Sequence, residues 1–344
     1  MAAAAFTLFT GCAGQNISTP SAATPSVGSG LNARDAATQS GPTLYVLSRT
    51  SLQKPDSSVD AVYSGGGKSL LRRIKRGNYV VTDSSGNLYV ASNPIRLYTD
   101  SGKTLVEKFQ NGRAPERIGN DGAITADGLG NFYVTCGHHE LCEYSIGNQT
   151  PVRTLSANEI GSIATDAAGN LYLGHSYGQV YIYAPGSTTP TVITNGVYGP
   201  EALAVDAQGN LYVANANSAT NHIPNIVVYA PGAKSPTRSI TSGVTNPLVI
   251  HCDGKSNLFV MNVTESPTMT VYASGTSTPK ATISDGLQLP TAFAFDSSSN
   301  LYVANGGEGF TDLGSVTVYS AGNYALLRTV TKDLVNPMAL GVGP

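Results

Sequence analysis

The segment DAQGNLYVAN, residues 206–215, recurs in variants along the chain and indicates a repeated structural unit. Its five relatives are DSSGNLYVAS from Asp83, DGLGNFYVTC from Asp127, DAAGNLYLGH from Asp166, DGKSNLFVMN from Asp253 and DSSSNLYVAN from Asp296. Successive aspartates are 44, 39, 40, 47 and 43 residues apart. A regular period of this length predicts that one supersecondary unit is stacked repeatedly.

Each unit divides into four short β-strands. An apolar strand such as ALAV (202–205) precedes the Asp-x-x-Gly-Asn turn, and LYVAN (211–215) follows it. A variable loop leads to a third strand, IVVYAPG (226–232), and a weaker fourth strand, TRSIT (237–241), closes the unit. Short β-branched and aromatic runs bounded by Gly, Pro, Asn and Asp are typical of strands and hairpins. We therefore expect an all-β chain of four-stranded antiparallel blades, the architecture of a β-propeller.

The two ends of the chain complement each other. LYVLS (44–48) matches a second strand, DAVYSGG (60–66) a third and LLRRI (70–74) a fourth, while NPMALGV (336–342) matches a first strand and then stops. The C-terminal strand is thus expected to complete the N-terminal blade. This predicts seven blades over residues 43–344, or 302/7, about 43 residues each.

The repeated pattern resembles a known family. The consensus P-x-A-L-A-V-D-x-x-G-N-L-Y-V-A-N followed by V-x-V-Y is similar to NHL-repeat β-propellers, and to the wider group of gluconolactonase-like hydrolases and virginiamycin B lyase. The resemblance implies the fold for nearly all of residues 43–344. It implies less about activity, because this architecture carries binding modules and unrelated enzymes.

The repeated aspartate is interpreted as a turn device. Asp at the start of a β-turn accepts backbone hydrogen bonds, and Gly and Asn tolerate the positive φ of a tight hairpin. An EF-hand-type calcium loop requires several carboxylates, whereas DAQGN (206–210) has one. The repeated third-strand tyrosines are expected to pack between blades with their hydroxyls at a wet edge: Tyr183, Tyr229, Tyr272 and Tyr319.

The N-terminal segment indicates export. Residues 1–12 form a short apolar run ending in Thr10-Gly11-Cys12, which resembles a bacterial lipoprotein signal with Cys12 as the lipid anchor, although a positive leading region is missing. Residues 13–42 are rich in Ser, Thr, Ala and Pro and are expected to form a flexible tether. The predicted location is the bacterial cell envelope. Plain secretion is the alternative.

The charge content limits the class of partner. Only 12% of residues are charged and the net charge is −2, which argues against nucleic acid as a partner. We expect a monomer that meets the membrane only through its lipid anchor and binds a protein, glycan or small molecule. No cofactor is expected unless the loops hold a divalent metal.

The ligand is expected on the face opposite the aspartate turns, where the loops differ from blade to blade. The candidate ligand-face residues are His138, His139, His175, Glu201, Asn215, Asn262 and Asn305. His138, His175 and Glu201 lie on adjacent blades and are candidates for a metal site or an acid/base pair. In propeller lyases and lactonases, His, carboxylate and amide groups on this rim hold a divalent ion, but no spacing here requires one. Solvated rim residues remain the alternative.

Two further features concern cysteine and histidine. Cys136 and Cys142 flank one of these loops, and in an exported protein a disulfide between them is the leading interpretation, with a zinc site or free thiols as alternatives. His251 stands where other blades carry Ala204 or Ala294, and core packing is its expected role.

The predicted function is a non-catalytic binding or interaction module that acts through the loop face. The alternative is a divalent-metal-assisted lyase or lactonase-like hydrolase at the central rim. The chain offers no Ser-His-Asp set and no phosphate-binding loop, so no catalytic residue is assigned.

Overall fold

A computed structural model describes residues 42–48, 59–64, 69–75, 79–82, 87–91, 95–99, 104–109, 124–127, 129–137, 139–158, 160–216, 223–306, 313–332 and 334–343. Cys12 and the predicted tether lie outside these residues, as does His138. Regular structure in the described part consists of strands alone. A search of the same residues for a helix of membrane-spanning length and hydropathy finds none.

The strands form four-stranded sheets, which are numbered here in chain order. Sheet 1 contains β1 (Thr43–Ser48), β2 (Val59–Ser64) and β3 (Ser69–Lys75); sheet 2 contains β4 (Tyr79–Thr82), β5 (Leu88–Ala91), β6 (Ile95–Thr99) and β7 (Thr104–Phe109). Sheet 3 contains β8 (Ile124–Ala126), β9 (Asn131–Gly137), β10 (Glu140–Ser145) and β11 (Arg153–Ser156). Sheet 4 contains β12 (Ile160–Thr165), β13 (Leu171–His175), β14 (Gln179–Tyr183) and β15 (Thr191–Ile193).

The remaining strands complete the set. Sheet 5 contains β16 (Pro200–Val205), β17 (Leu211–Asn215), β18 (Asn225–Tyr229) and β19 (Arg238–Ile240); sheet 6 contains β20 (Pro247–Cys252), β21 (Leu258–Asn262), β22 (Thr268–Tyr272) and β23 (Pro279–Ile283). Sheet 7 contains β24 (Pro290–Phe295), β25 (Leu301–Asn305), β26 (Ser315–Tyr319) and β27 (Leu326–Val330). The last strand, β28 (Pro337–Gly343), joins sheet 1.

Six of these sheets are built from four consecutive strands, and sheet 1 is composite, with the order β28-β1-β2-β3. In sheet 1, β28 pairs antiparallel with β1, Gly343 opposite Thr43 and Gly341 opposite Tyr45. The prediction of four-stranded antiparallel blades is confirmed, and so is the completion of the N-terminal blade by the C-terminal strand.

The sheets are arranged in a closed ring. The innermost strands contact one another in the order β28, β4, β8, β12, β16, β20 and β24, and β24 contacts β28 again. Because β28 and β1 join the two ends of the chain through backbone pairing, no innermost strand is left without a neighbour. The fold is an all-β propeller.

The core lies between neighbouring sheets. Ala204 and Tyr212 of sheet 5 pack with Ile250 and Leu258 of sheet 6, and Leu203 of sheet 5 packs with sheet 4. This follows from the two-residue period of a strand, which sends successive side chains to opposite faces. Every interior sheet face is therefore a sheet–sheet interface.

The Asp-x-x-Gly-Asn turns have the structural role predicted for them. The Asp206 Oδ1 atom accepts hydrogen bonds from the backbone N–H groups of Gln208 (3.0 Å) and Asn210 (2.9 Å). Its Oδ2 atom accepts from Asn210 Nδ2 (2.9 Å) and from the Tyr212 hydroxyl (3.1 Å). The backbone bonds repeat in the four other turns that the structure describes, at Asp127, Asp166, Asp253 and Asp296. The Asp83 turn lies outside the described residues.

The third-strand tyrosines connect adjacent sheets, as predicted. The Tyr229 hydroxyl of sheet 5 donates to the Asn195 carbonyl after sheet 4 (2.5 Å). Tyr272 donates likewise to Ser242 (2.5 Å) and Tyr319 to Asp285 (2.6 Å). Burial raises the pKa of both Tyr229 and Tyr272 to about 12, so the hydroxyls keep their protons and remain donors.

Candidate functional site

The side of the ring opposite the aspartate turns, called the loop face here, is where the sheets differ. It is formed by the loops between second and third strands, and by the connections from each fourth strand to the next first strand. Five of the first strands enter from this face through a β-bulge, as between Pro200 and Ala202 and between Pro290 and Ala292. A bulge adds one residue without a partner in the ladder and redirects its side chain.

Glu201 is the bulge residue of sheet 5 and the most distinctive group on this rim. It is half-buried, and burial raises the pKa of its carboxyl above the ordinary value. The carboxylate forms no hydrogen bond or ion pair with any residue that the structure describes. Burying a carboxylate without a partner is unfavourable. The site therefore favours protonation of Glu201, or a ligand that donates hydrogen bonds or carries a positive charge.

Other bulge positions do not carry ionisable groups. The equivalent residues in sheets 4, 6, 7 and 1 are Gly161, Leu248, Thr291 and Met338, all half-buried. Thr291 is satisfied within the fold, since its hydroxyl donates to the Pro337 carbonyl (2.8 Å). Among these five bulges Glu201 alone can change its charge, which places one specific polar group on a rim of apolar and small residues.

Large apolar side chains stand exposed on the loop face. Tyr177 is 79% exposed, Ile223 76% and Leu313 77%, and Leu289 is also exposed. Tyr198, three residues before Glu201, donates its hydroxyl to the Ile223 carbonyl (2.7 Å). The turn holding Tyr177 abuts the same connection, because a Cβ on Gly178 would lie 3.0 Å from the Val197 carbonyl oxygen. Tyr177 and Ile223 thus lie on segments that meet the connection containing Tyr198, which leads to Glu201, and these three residues are called the aromatic strip.

The sequence offered a usable signal for these apolar residues. The ionisable and amide residues of the sequence predicted Glu201 as a site residue, whereas Tyr177, Tyr198 and Ile223 were not predicted. A large apolar residue inside a loop otherwise made of Gly, Ser and Asn, such as Tyr177 in SYGQ (176–179), is that signal.

The three candidate asparagines lie inside the fold and not on the loop face. Asn215, Asn262 and Asn305 end the second strands of sheets 5, 6 and 7 with side chains at most 1% exposed. Their Oδ1 atoms accept from backbone N–H groups 17 residues earlier, at Tyr198 (2.9 Å), Thr245 (2.9 Å) and Gln288 (3.0 Å). Asn215 and Asn262 also donate to the carbonyls 19 residues earlier, at Gly196 (2.9 Å) and Gly243 (3.0 Å). Each asparagine therefore holds the connection that enters its own sheet, an arrangement called the asparagine latch below.

The candidate histidines do not gather around Glu201. His175 ends the second strand of sheet 4, is buried, and stacks on Tyr181 with 4.1 Å between ring centroids. Its neighbour Gly174 faces Pro200 of sheet 5, so strand alternation directs His175 to the opposite side of sheet 4, away from Glu201. His139 is exposed in the β9–β10 turn at φ 61°, and its carbonyl accepts from Ala157 N–H (2.7 Å).

These placements bear on the metal hypothesis. The amide oxygens of the three asparagines already accept backbone hydrogen bonds, and His175 faces a different sheet interface from Glu201. No group of three His, Cys, Asp or Glu side chains suited to a metal is found among the described residues.

The predicted disulfide between Cys136 and Cys142 is present. It joins β9 to β10 across their hairpin, with the two Cα atoms 5.7 Å apart. It lies beside the loop containing His139 and fixes that end of sheet 3, where Cys136 takes the position of the latch asparagine and its sulfur is bonded to Cys142.

Comparisons with known proteins agree on the fold. The model of the strictosidine synthase-like family, N-terminal part, matches residues 191–217, the stretch that contains Glu201 and the turn of sheet 5. The chain is similar in structure to the hydrazine synthase of Kuenenia stuttgartiensis (12% identity, TM-score 0.59), over 75% of this chain and 87% of that one. It is also similar to a chain from a crystal structure of the mitotic checkpoint complex (13% identity, TM-score 0.57), over 75% and 82%. No curated protein sequence matches it. These likenesses support the β-propeller fold, and the NHL-like repeat is consistent with them.

Proposed function

We propose that this protein is a non-catalytic binding protein that captures a partner on its loop face, with Glu201 as the central contact. The observation that carries the proposal is the half-buried carboxyl of Glu201, which lacks a described partner and whose pKa is raised by burial. A positively charged group from a partner would convert this unfavourable carboxylate into a buried ion pair.

The aromatic strip supports an amphipathic partner. Tyr177 and Ile223 expose most of their surface to water, and Tyr198 lies between them. Aromatic side chains with a polar tip are enriched at binding interfaces, because they supply contact area at little entropic cost. The preferred ligand therefore combines a cationic group for Glu201 with an apolar body for the strip.

Small probes of equal size and different charge test this proposal. Backbone NMR titrations with butylammonium, butanol and butyrate compare a cation, a neutral donor and an anion. We expect the largest shifts around Glu201 and Tyr198 with butylammonium and none with butyrate. Glu201→Gln should abolish the preference, whereas Glu265→Gln, at an exposed site on the same face, should keep it. Equal responses to the three probes would refute the role of Glu201.

The family resemblance also raises a metal-assisted lyase or hydrolase. The geometry gives this alternative little support, because the amide donors it needs hold backbone groups instead. Metal analysis of the purified protein addresses it directly. A stoichiometric divalent ion that is lost in Glu201→Gln would favour the enzyme over the binding module.

We further propose that the propeller is exported and held at the cell envelope through Cys12. The support is the lipoprotein-like end of residues 1–12 and the low-complexity tether over residues 13–42. Labelling with a palmitate analogue in a bacterial host should mark the wild type and spare Cys12→Ser. Equal labelling of both would remove the anchor from the proposal and leave the loop-face site untouched.

A further inference from the structure

A cavity of about 260 Å³ opens between sheets 6 and 7, at their outer strands and apart from Glu201. One wall comes from the end of β23 and the connection after it, and the other from the hairpin between β26 and β27. The side chains used below are Thr282, Ser284, Asp285, Asn323, Tyr324 and Leu326.

Sheet 7 lacks the proline that packs against the equivalent glycine in two other interfaces. A Cβ on Gly196 would lie 3.1 Å from Pro236 Cγ, and one on Gly243 would lie 3.0 Å from Pro279 Cγ. Gly286 is the equivalent glycine between sheets 6 and 7. Leu326 stands there in place of the proline, and its Cδ2 atom would lie 3.6 Å from a Cβ on Gly286. The Leu326 side chain is 39% exposed. The rigid ring that fills two interfaces is absent from the third.

A charged group is left available in the same place. At the interface of sheets 4 and 5, Asn195 spans the groove by donating to Ser235 Oγ (3.0 Å). Asp285 holds the equivalent position between sheets 6 and 7 and is exposed. Its backbone carbonyl accepts the Tyr319 hydroxyl, but its carboxylate makes no hydrogen bond or ion pair with any residue in the described part. The hydrogen bond between the two sheets therefore uses the backbone carbonyl of Asp285, and its carboxylate remains free for a ligand.

The opposite wall contains a strained aromatic residue. Tyr324 has φ 56°, a left-handed conformation that is uncommon for a bulky side chain. Its ring is half-buried and packs edge-to-face on Phe259, with centroids 5.6 Å apart. The turns at Gly186, Gly232 and Gly275 place only glycine at positive φ. The unusual hairpin of sheet 7 thus positions an aromatic ring in the cavity wall.

We propose that this cavity binds one hexose-sized sugar. A carboxylate accepts two neighbouring hydroxyl groups, the ring of Tyr324 offers a surface for the C–H face of a pyranose, and the hydroxyls of Thr282 and Ser284 can donate or accept. The volume of about 260 Å³ accommodates a single sugar ring, and the cavity is open to solvent, so the remaining hydroxyls of the sugar can stay hydrated.

Saturation-transfer NMR with glucose, galactose, mannose and N-acetylglucosamine tests the proposal on the full chain. We expect transfer to one of the sugars with a Kd of about 1 mM, typical of a single small polar ligand. Leu326→Pro installs the residue that sheet 6 carries at the first position of its fourth strand and sheet 5 carries two residues before that strand, where proline is tolerated. It should abolish transfer, and Asp285→Asn should weaken binding about tenfold.

Two controls keep the result interpretable. Glu265→Gln should bind the sugar as the wild type does, and thermal melting should show that Leu326→Pro remains folded. If Leu326→Pro does not fold, Asp285→Asn alone decides the outcome. Absence of transfer from all four sugars, or transfer that both variants leave unchanged, would overturn the proposal.

Discussion

The last residue of the second strand is asparagine in sheets 5 to 7 and histidine in sheet 4. Asn215, Asn262 and Asn305 each satisfy a backbone N–H of the connection entering their sheet. In sheet 4 the position is His175, whose polar contact is with the backbone of Asn158, also 17 residues earlier. The buried Nε2 atom of His175 has no hydrogen-bond partner in the described part of the chain. The imidazole therefore reproduces only part of the asparagine latch.

This difference shows where the repeat is free to vary. At the turn end, the bonds from backbone N–H groups to the aspartate are kept in every described sheet that has the turn. At the loop end, Asn215 and Asn262 make both bonds of the latch, and Asn305 makes the bond to the backbone N–H. Sheet 4 keeps part of the latch, and in sheet 3 the position is taken by Cys136, which forms the disulfide with Cys142. Sheet 3 is also tied to sheet 4 by Arg153, which pairs with Glu143 and donates to the Ala184 carbonyl (3.0 Å). This contact lies at the turn end of sheet 3, because Arg153 follows the hairpin between the third and fourth strands.

The largest expected effect comes from opening the ring itself. Deleting residues 335–344 removes β28 and leaves β1 without its inner partner. Because domains are stable by only about 5–15 kcal/mol, we expect loss of cooperative folding throughout, in latched and unlatched sheets alike. Circular dichroism during thermal melting measures this. A deletion variant that melts cooperatively near the wild-type temperature would show that the sheets fold independently of closure.

The latch comparison is tested by exchanging residues between sheets. Asn262→Ala leaves the Thr245 N–H and the Gly243 carbonyl without their side-chain partner, and should cost about 2–4 kcal/mol of unfolding free energy. His175→Asn should instead add about 1 kcal/mol by completing the latch in sheet 4. Urea unfolding measures both. Destabilisation by His175→Asn as large as that by Asn262→Ala would contradict the shared role of the position.

Acid should weaken the fold through buried histidines. Burial lowers the pKa of His251 to about 4 and also lowers the pKa of His175. The unfolded chain, with histidine pKa near 6.5, binds more protons than the folded chain between pH 6.5 and 4, so stability falls as pH decreases through that window. For His251 the full loss is about 3 kcal/mol.

A matched variant isolates that effect. His251→Ala gives sheet 6 the residue that Ala204 and Ala294 provide in its neighbours, and removes an imidazole packed edge-to-face on Phe293 at 4.8 Å. Unfolding free energies at pH 7 and pH 4.5 should differ by clearly less in this variant than in the wild type. An unchanged difference would assign the acid sensitivity to other groups.

The smallest expected effect concerns the turn network. Tyr212→Phe removes the hydroxyl that donates to Asp206 and should cost about 1 kcal/mol. Sheet 6 already has Phe259 at this position, so Phe259→Tyr should be neutral or slightly stabilising. Thermal shifts of the two variants in the same direction would mean that the hydroxyl is not the relevant difference between the sheets.

The sequence predicted the repeated parts well, for a physical reason. Turn, strand and tyrosine positions obey the same local rules in each unit, so six imperfect copies average out the ambiguity of one, and the orphan ends reveal the closure by β28. The latch was misread because Asn215 lies at the boundary of strand and loop, and only the 17-residue return to Tyr198 shows that its amide points inward. Strand alternation likewise directs the His175 side chain away from Glu201. That direction depends on which sheets pack together and is not given by the spacing of residues in the sequence. The cavity beside Asp285 was not predicted, because it depends on how sheets 6 and 7 pack against each other.

The most direct test of the loop-face site is the pKa of Glu201, measured from its side-chain ¹³C chemical shift between pH 3 and pH 8. We predict a pKa above the ordinary glutamate value of about 4.3 in the free protein, and a decrease when butylammonium is added. A pKa at the ordinary value that is unaffected by the cation would contradict the claim that an unpaired, desolvated carboxyl prepares this face for a ligand.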